Sequence, residues 1–156
     1  MIQGSCLCGG VKFEIDERRI LIINNCYCTN CRKASGAAFG TFVQIPSEHF
    51  RWLKGEELVS TYESSPGNPR AFCRVCGSRA PQSQNWQVAV TIPAGSLDGD
   101  PMARPVVNIF IESKAPWYEI DESIASVSGF GTEEFWRTFA PARAYLQWQQ
   151  SRSSDA

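Results

Sequence analysis

Seven cysteines fall into three clusters: Cys6 and Cys8 as C-x-C, Cys26, Cys28 and Cys31 as C-x-C-x-x-C, and Cys73 and Cys76 as C-x-x-C. No other feature constrains the fold as tightly. Sulfurs two or three residues apart can reach one metal ion without straining the backbone, whereas a disulfide between cysteines only two apart would be strained. Zinc takes four soft ligands at tetrahedral corners, so seven cysteines fill one closed site and leave a second with three protein corners. A closed zinc site is structural, and an open one can do chemistry.

A chain of 156 residues is one domain, able to bury roughly two-thirds of its unfolded surface without disulfides. Its hydrophobic fraction of 43% and charged fraction of 20% exclude a disordered chain. The longest apolar run, Ile20–Ile23, is far too short to span a membrane. Met1–Gln3 lacks the basic start and apolar middle of a secretory leader, and a cleaved leader would take Cys6 with it. The expected compartment is the reducing cytoplasm, where thiols read as metal ligands or catalysts before they read as disulfides, and the odd cysteine count agrees. Seven thiolates and two zinc ions would move the formal net charge of −1 to about −4, which argues against nucleic-acid binding. Basic residues collect beside the cysteines: Arg32, Lys33, Arg70, Arg74 and Arg79. All of them offset thiolate charge, and Arg32 and Lys33 are the candidates for gripping a substrate carboxylate.

The pattern along the chain is mainly β. Val11–Ile15 and Phe39–Ile45 alternate apolar and polar residues, and Leu58–Tyr62 is rich in strand formers. Ile20–Ile23, Trp86–Ile92 and Val106–Ile111 read as more buried strands. Short strands separated by turns imply antiparallel sheets packed face to face. Helix is expected as one turn over Arg32–Ser35 and in a C-terminal segment. There Thr132 would cap Glu133–Phe139, and Pro141 would open a second helix to Gln150. Phe135, Trp136 and Phe139 at helical spacing read as a packing stripe.

Cys73-Arg74-Val75-Cys76-Gly77 has the form of a zinc knuckle, with Gly77 free to take the positive φ of a tight exit. Cys6-Leu7-Cys8-Gly9-Gly10 is its expected partner in a closed site, because two separate knuckles would each leave a metal half-ligated. Cys26, Cys28 and Cys31 would hold a second ion from one side. The lone histidine, His49, has no spaced partner and reads as a surface or packing residue, while a distant carboxylate remains an alternative fourth ligand. An iron–sulfur cluster is a further alternative, though the usual fourth cysteine and proline are missing. Zinc held by three thiolates activates water weakly but suits an incoming thiol, which points to making or breaking a carbon–sulfur bond.

Three segments, Gly4-Ser5-Cys6-Leu7-Cys8-Gly9-Gly10, Cys26-x-Cys28-x-x-Cys31-Arg32-Lys33 and Phe72-Cys73-x-x-Cys76-Gly77-Ser78, resemble the glutathione-dependent formaldehyde-activating enzyme family. Phe50-Arg51-Trp52, Tyr62–Gly67 and Ser113–Glu119 extend the likeness, which runs from Gly4 to Ile120. The resemblance implies a β-tent of packed antiparallel sheets with two zinc ions and a short C-terminal helical segment. Cys6, Cys8, Cys73 and Cys76 would hold the structural metal, and Cys26, Cys28 and Cys31 the one regarded as catalytic. It implies a carbon–sulfur lyase of the S-(hydroxymethyl)glutathione synthase kind, with glutathione and formaldehyde as first candidate pair. The expected division is a zinc-binding unit over 1–128 and a helical extension of the same domain over 129–156. Tyr27 departs from the family, which commonly carries histidine there, and Arg79–Gln82 is more polar than usual. The expected partner is a small thiol or thiol–aldehyde adduct, with a second copy of the chain as a further candidate. The alternatives are a non-catalytic zinc module that binds a partner or small thiol, and a thiol or metal sensor.

Overall fold

The computed structural model describes residues 1–83, 89–142 and 147. The first strands are β1 (Ile2–Ser5), β2 (Lys12–Ile15) and β3 (Ile22–Cys26), followed by helix α1 (Thr29–Ser35). Strands β4 (Gly40–Pro46), β5 (Phe50–Lys54), β6 (Val59–Glu63) and β7 (Pro69–Cys73) come next. The chain continues through β8 (Gln82–Ser83), β9 (Ala89–Pro93), β10 (Val107–Ile109), β11 (Ala125–Val127) and helix α2 (Glu133–Thr138).

These strands make three sheets: β1-β2-β5, β11-β10-β3-β4-β9-β8 and the hairpin β6-β7. The mainly β expectation with a short C-terminal helix holds. Pairing is antiparallel except at one end of the large sheet, where β10 runs parallel to both β3 and β11. The chain between β10 and β11 is long enough for the crossover that parallel strands require.

Alternation along β3 and β4 divides the interior in two. Ile23, Val43 and Ile45 face one way and join Phe13, Ile15, Val90 and Ile92 in the main core. Ile22, Cys26 and Phe42 face the other way and pack with Cys31, Val107 and Ile109. A period of two places odd and even residues on opposite faces, so one pair of strands serves both layers. Ile15, Ile45 and Ile92 show no exposure, and burying each stabilises the fold by about 1.5–3 kcal/mol.

Strand β5, absent from the expected set, carries Phe50 and Trp52 against the main core, and β7 extends from the turn at Pro69 to the Cys73 knuckle. Helix α1 begins three residues before the expected turn, because the Cys28 sulfur accepts from Cys31 N–H and caps it. Gly36 ends it in the left-handed region at φ +62°. The Thr132 side chain caps α2 as expected, and Phe135, Trp136 and Phe139 pack against the Cys26–Cys31 layer. The first residues of the expected strand Trp86–Ile92, and most of the helix expected from Pro141 to Gln150, lie outside the described residues. Among the described residues no helix is long and apolar enough to cross a membrane.

Candidate metal centres

The β1–β2 hairpin delivers the first cysteine pair. Beyond Ser5 the loop is closed by Cys6 N–H donating to Val11 O and Gly9 N–H to Cys6 O, leaving Cys6 buried and Cys8 exposed. Strand β7 delivers the second pair. Cys73 N–H donates to Ser78 O and Gly77 N–H to Cys73 O, and Gly77 takes φ +74° at the exit of the turn. Leu7 N–H donates to the Ser78 hydroxyl at 3.0 Å, tying the two turns together.

The four sulfurs of Cys6, Cys8, Cys73 and Cys76 lie within 4.8 Å of one another. Ligands at tetrahedral corners about 2.3 Å from a zinc ion would sit ~3.8 Å apart. The separations Cys6–Cys8, 3.5 Å, and Cys8–Cys73, 3.9 Å, straddle that value. Val11 N–H donates to Cys6 Sγ at 3.2 Å, and the Ser78 hydroxyl lies 3.3 Å from Cys76 Sγ. That hydroxyl first, and the Ser78 backbone next, hold the Cys76 thiol down to about 5. This donor set fits a metal ion.

Cys26, at the end of β3, and Cys28 and Cys31, at the start of α1, form the second group, also within 4.8 Å of one another. The Cys28 sulfur is drawn well below an ordinary thiol by the Cys26 and Cys31 thiols beside it, while Cys26 is pushed up correspondingly. Three sulfurs that concentrate negative charge on one member suit a cation. Among the described residues no histidine or carboxylate joins these three as a fourth ligand. His49 sits past the far end of β4, about 20 Å of strand from Gly40, the residue that pairs with Cys26.

The surroundings of this group are unequal. Tyr27 is buried against Phe39 and Tyr118, and burial first raises its hydroxyl to about 12, a poor setting for a proton shuttle. Arg32 Nε donates to Tyr27 O at 3.3 Å, and Lys33 is exposed one residue further along α1. Two other arginines come closer to this site than the sequence indicated. Arg70 Nη1 stands 3.5 Å from Cys31 Sγ, with its Nε on the Ser64 hydroxyl. Arg79 lies over the Phe42 ring, its guanidinium carbon 5.1 Å from the centroid. Both were visible as basic neighbours of Cys73 and Cys76, but no local pattern shows that the Arg70 side chain of β7 reaches Cys31.

Two thiol clusters held on a mainly β frame define a class of β protein able to hold metal ions. Within that class, the chain belongs to the glutathione-dependent formaldehyde-activating enzyme family, which it matches over residues 1–113. A relative from Halomonas elongata named after the same family is 31% identical over 131 residues, spanning 78% of this chain and 82% of its own. A solved crystal structure of a Rhodobacter sphaeroides protein has a TM-score of 0.53 at 21% identity, covering 64% of this chain and 90% of that one. At that identity the likeness is one of fold.

Proposed function

We propose that the protein is a carbon–sulfur lyase that makes and breaks thiol–aldehyde adducts, with glutathione and formaldehyde as its substrates. The observation that carries this reading is the three-cysteine group, which lacks a fourth protein ligand among the described residues. Family membership supports the substrate pair. Zinc fits both groups of sulfurs, one as a structural staple through Cys6, Cys8, Cys73 and Cys76, the other at Cys26, Cys28 and Cys31. When bound at the second group, zinc would supply an open corner for a substrate thiol and make that thiol more acidic.

In the forward reaction the thiol sulfur adds to the aldehyde carbon and the carbonyl π pair moves to oxygen. The thiol proton is lost and the new alkoxide takes one up, so no net proton is consumed. The same adduct forms unaided, and the protein's contribution is positioning and charge. Arg32 and Lys33, following Cys31 on α1, would steady an anionic group of the substrate at the rim. Arg70 balances thiolate charge at Cys31. Tyr27, buried and raised in pKa, leaves proton transfer to solvent rather than to its own hydroxyl.

Exchange of labelled formaldehyde with glutathione, followed by NMR at equilibrium, tests this. The wild-type protein is expected to accelerate exchange and Cys31→Ser to abolish the acceleration. Equal exchange with and without wild-type protein, at full metal content, would leave a metal-binding module and no lyase.

A further inference from the structure

Alternation along β7 sends Cys73 to one face of the strand and Arg70 to the other, so a single strand serves both groups of sulfurs. Cys73 joins the four-cysteine group, while the Arg70 guanidinium reaches Cys31 of the three-cysteine group. The sulfurs of that second group are served in different ways. Cys28 accepts from the Cys31 backbone N–H at 3.3 Å, a bond that comes with the turn itself. Cys31 accepts from Arg70 Nη1 at 3.5 Å, a donor 39 residues away that has to be brought there.

Several contacts hold that donor in place. Arg70 Nε donates to the Ser64 hydroxyl at 2.9 Å, and the hydroxyl in turn donates to Asn68 O at 3.1 Å. Ser64 N–H also donates to Asn68 O, and Gly67 N–H donates to the Glu63 carboxylate, closing the turn between β6 and β7. Fixing an arginine side chain costs up to about 2 kcal/mol of rotamer freedom. A charge that merely offsets thiolates acts at a distance and needs no such bracing, whereas a directed donor does. Cys31 is 4% exposed, so bulk water competes weakly for its sulfur.

A hydrogen bond to a thiolate favours its charged form and lowers its nucleophilicity. The proposed chemistry makes this consequential, because any thiolate can add to an aldehyde. The sulfur–carbon bond forms, the carbonyl π pair moves to oxygen, and the oxygen takes up a proton. Addition to one of the protein's own three sulfurs would block the site.

We propose that Arg70 is a positioning residue that damps the Cys31 sulfur through its N–H···S bond, so that an aldehyde adds to the incoming thiol and not to the protein. This rests on the reading of the three-cysteine group as a thiol site.

The test uses the full chain loaded with cobalt(II), whose sulfur-to-metal charge-transfer absorption reports electron density on the ligating sulfurs. Arg70→Met keeps the length of the side chain and removes the donor, and its band is expected at lower energy than in wild type. Iodoacetamide, a neutral electrophile, is expected to label Cys31 in that variant about threefold to tenfold faster, the size of one hydrogen bond, as read by mass spectrometry. Labelling of Cys28, whose donor is backbone, is expected to match wild type. Arg70→Lys keeps a donor without the planar fork and is expected to restore part of both effects. Ser64→Ala keeps Arg70 but frees it, and is expected to move the band the same way by less. A wild-type band in Arg70→Met or in Ser64→Ala overturns the proposal. So does equal labelling of Cys31 in the Met and Lys variants, which identifies a steric shield, or faster labelling of Cys28, which identifies a general loosening. If 2-mercaptoethanol leaves the wild-type spectrum unchanged while Arg70→Met still shifts it, the damping of Cys31 stands and the thiol reading fails.

Discussion

Gly55 is held at φ +74°, and a Cβ built on it would lie 2.1 Å from the Gly10 carbonyl oxygen. The close approach presses the turn after β5 onto the loop that carries Cys6 and Cys8. Gly55→Ala combines a left-handed backbone with a clash against main chain and is expected to cost about 2–4 kcal/mol, read by urea denaturation. An unchanged midpoint would show that this contact does not brace the loop. The Ser78 hydroxyl has a different consequence. Cys76 is held down to about 5 in the folded protein, against about 8.5 for a free thiol. A depressed thiol contributes its stability in full above the ordinary value and loses it as the pH falls through about 5. A metal ion on these sulfurs needs them ionised, so the melting temperature of the metal-loaded protein is expected to rise from pH 5 to pH 9, and Ser78→Ala to flatten part of that rise. Parallel profiles for the two proteins would remove Ser78 from the account. Residue identity was legible here, and environment was not. Arg32, Lys33, Arg70 and Arg79 look alike in sequence, yet one bonds a carbonyl, one is exposed, one meets a sulfur and one has two buried donors unpaired among the described residues.

Among elements, α2 is six residues long and depends on its cap and its aromatic stripe more than on its own helical bonds. The Thr132 side chain accepts from Phe135 N–H at 3.1 Å, and Thr132→Ala is expected to cost about 1 kcal/mol. Because Phe135, Trp136 and Phe139 pack on the Cys26–Cys31 layer, that variant should also loosen the site. Faster amide hydrogen exchange in β3 and α1 would show the link, and exchange confined to α2 would refute it. The start of α2 and alternating strands such as β4 were readable because their signals are local, whereas the start of α1 turned on the Cys28 sulfur acting as a cap. β5 carries its alternation in Phe50 and Trp52 and was still missed, since charged Arg51 and Lys54 resemble loop composition. The parallel placement of β10 beside β3 had no local signal at all, because register between strands some 80 residues apart is set by the shared core.

For the whole molecule, the four-cysteine group joins the β1–β2 loop to the end of β7, a span of 65 residues between Cys8 and Cys73. A metal ion there would close a long loop, and its binding energy would become folding energy. Cys73→Ser is expected to yield little soluble protein, whereas Cys31→Ser should fold with a native circular dichroism spectrum, one metal fewer and no exchange activity. Like behaviour in the two variants would erase the division between staple and site. Removal of metal with a strong chelator is expected to abolish the cooperative thermal transition. A transition that survives would show that the hydrophobic cores hold the sheets together unaided.

Spacing alone determined that the sulfurs would gather in two pairs and a triplet, since ligand reach over two or three residues is a property of the chain itself, and their number pointed to groups of four and three. The Thr132 cap likewise fixed where α2 begins. Tertiary structure decided what surrounds those sulfurs: Arg70 of β7 reaching Cys31, and Arg79 laid over Phe42 with two buried donors unpaired among the described residues. Burial and long-range register are collective outcomes of packing, and no window of sequence contains them.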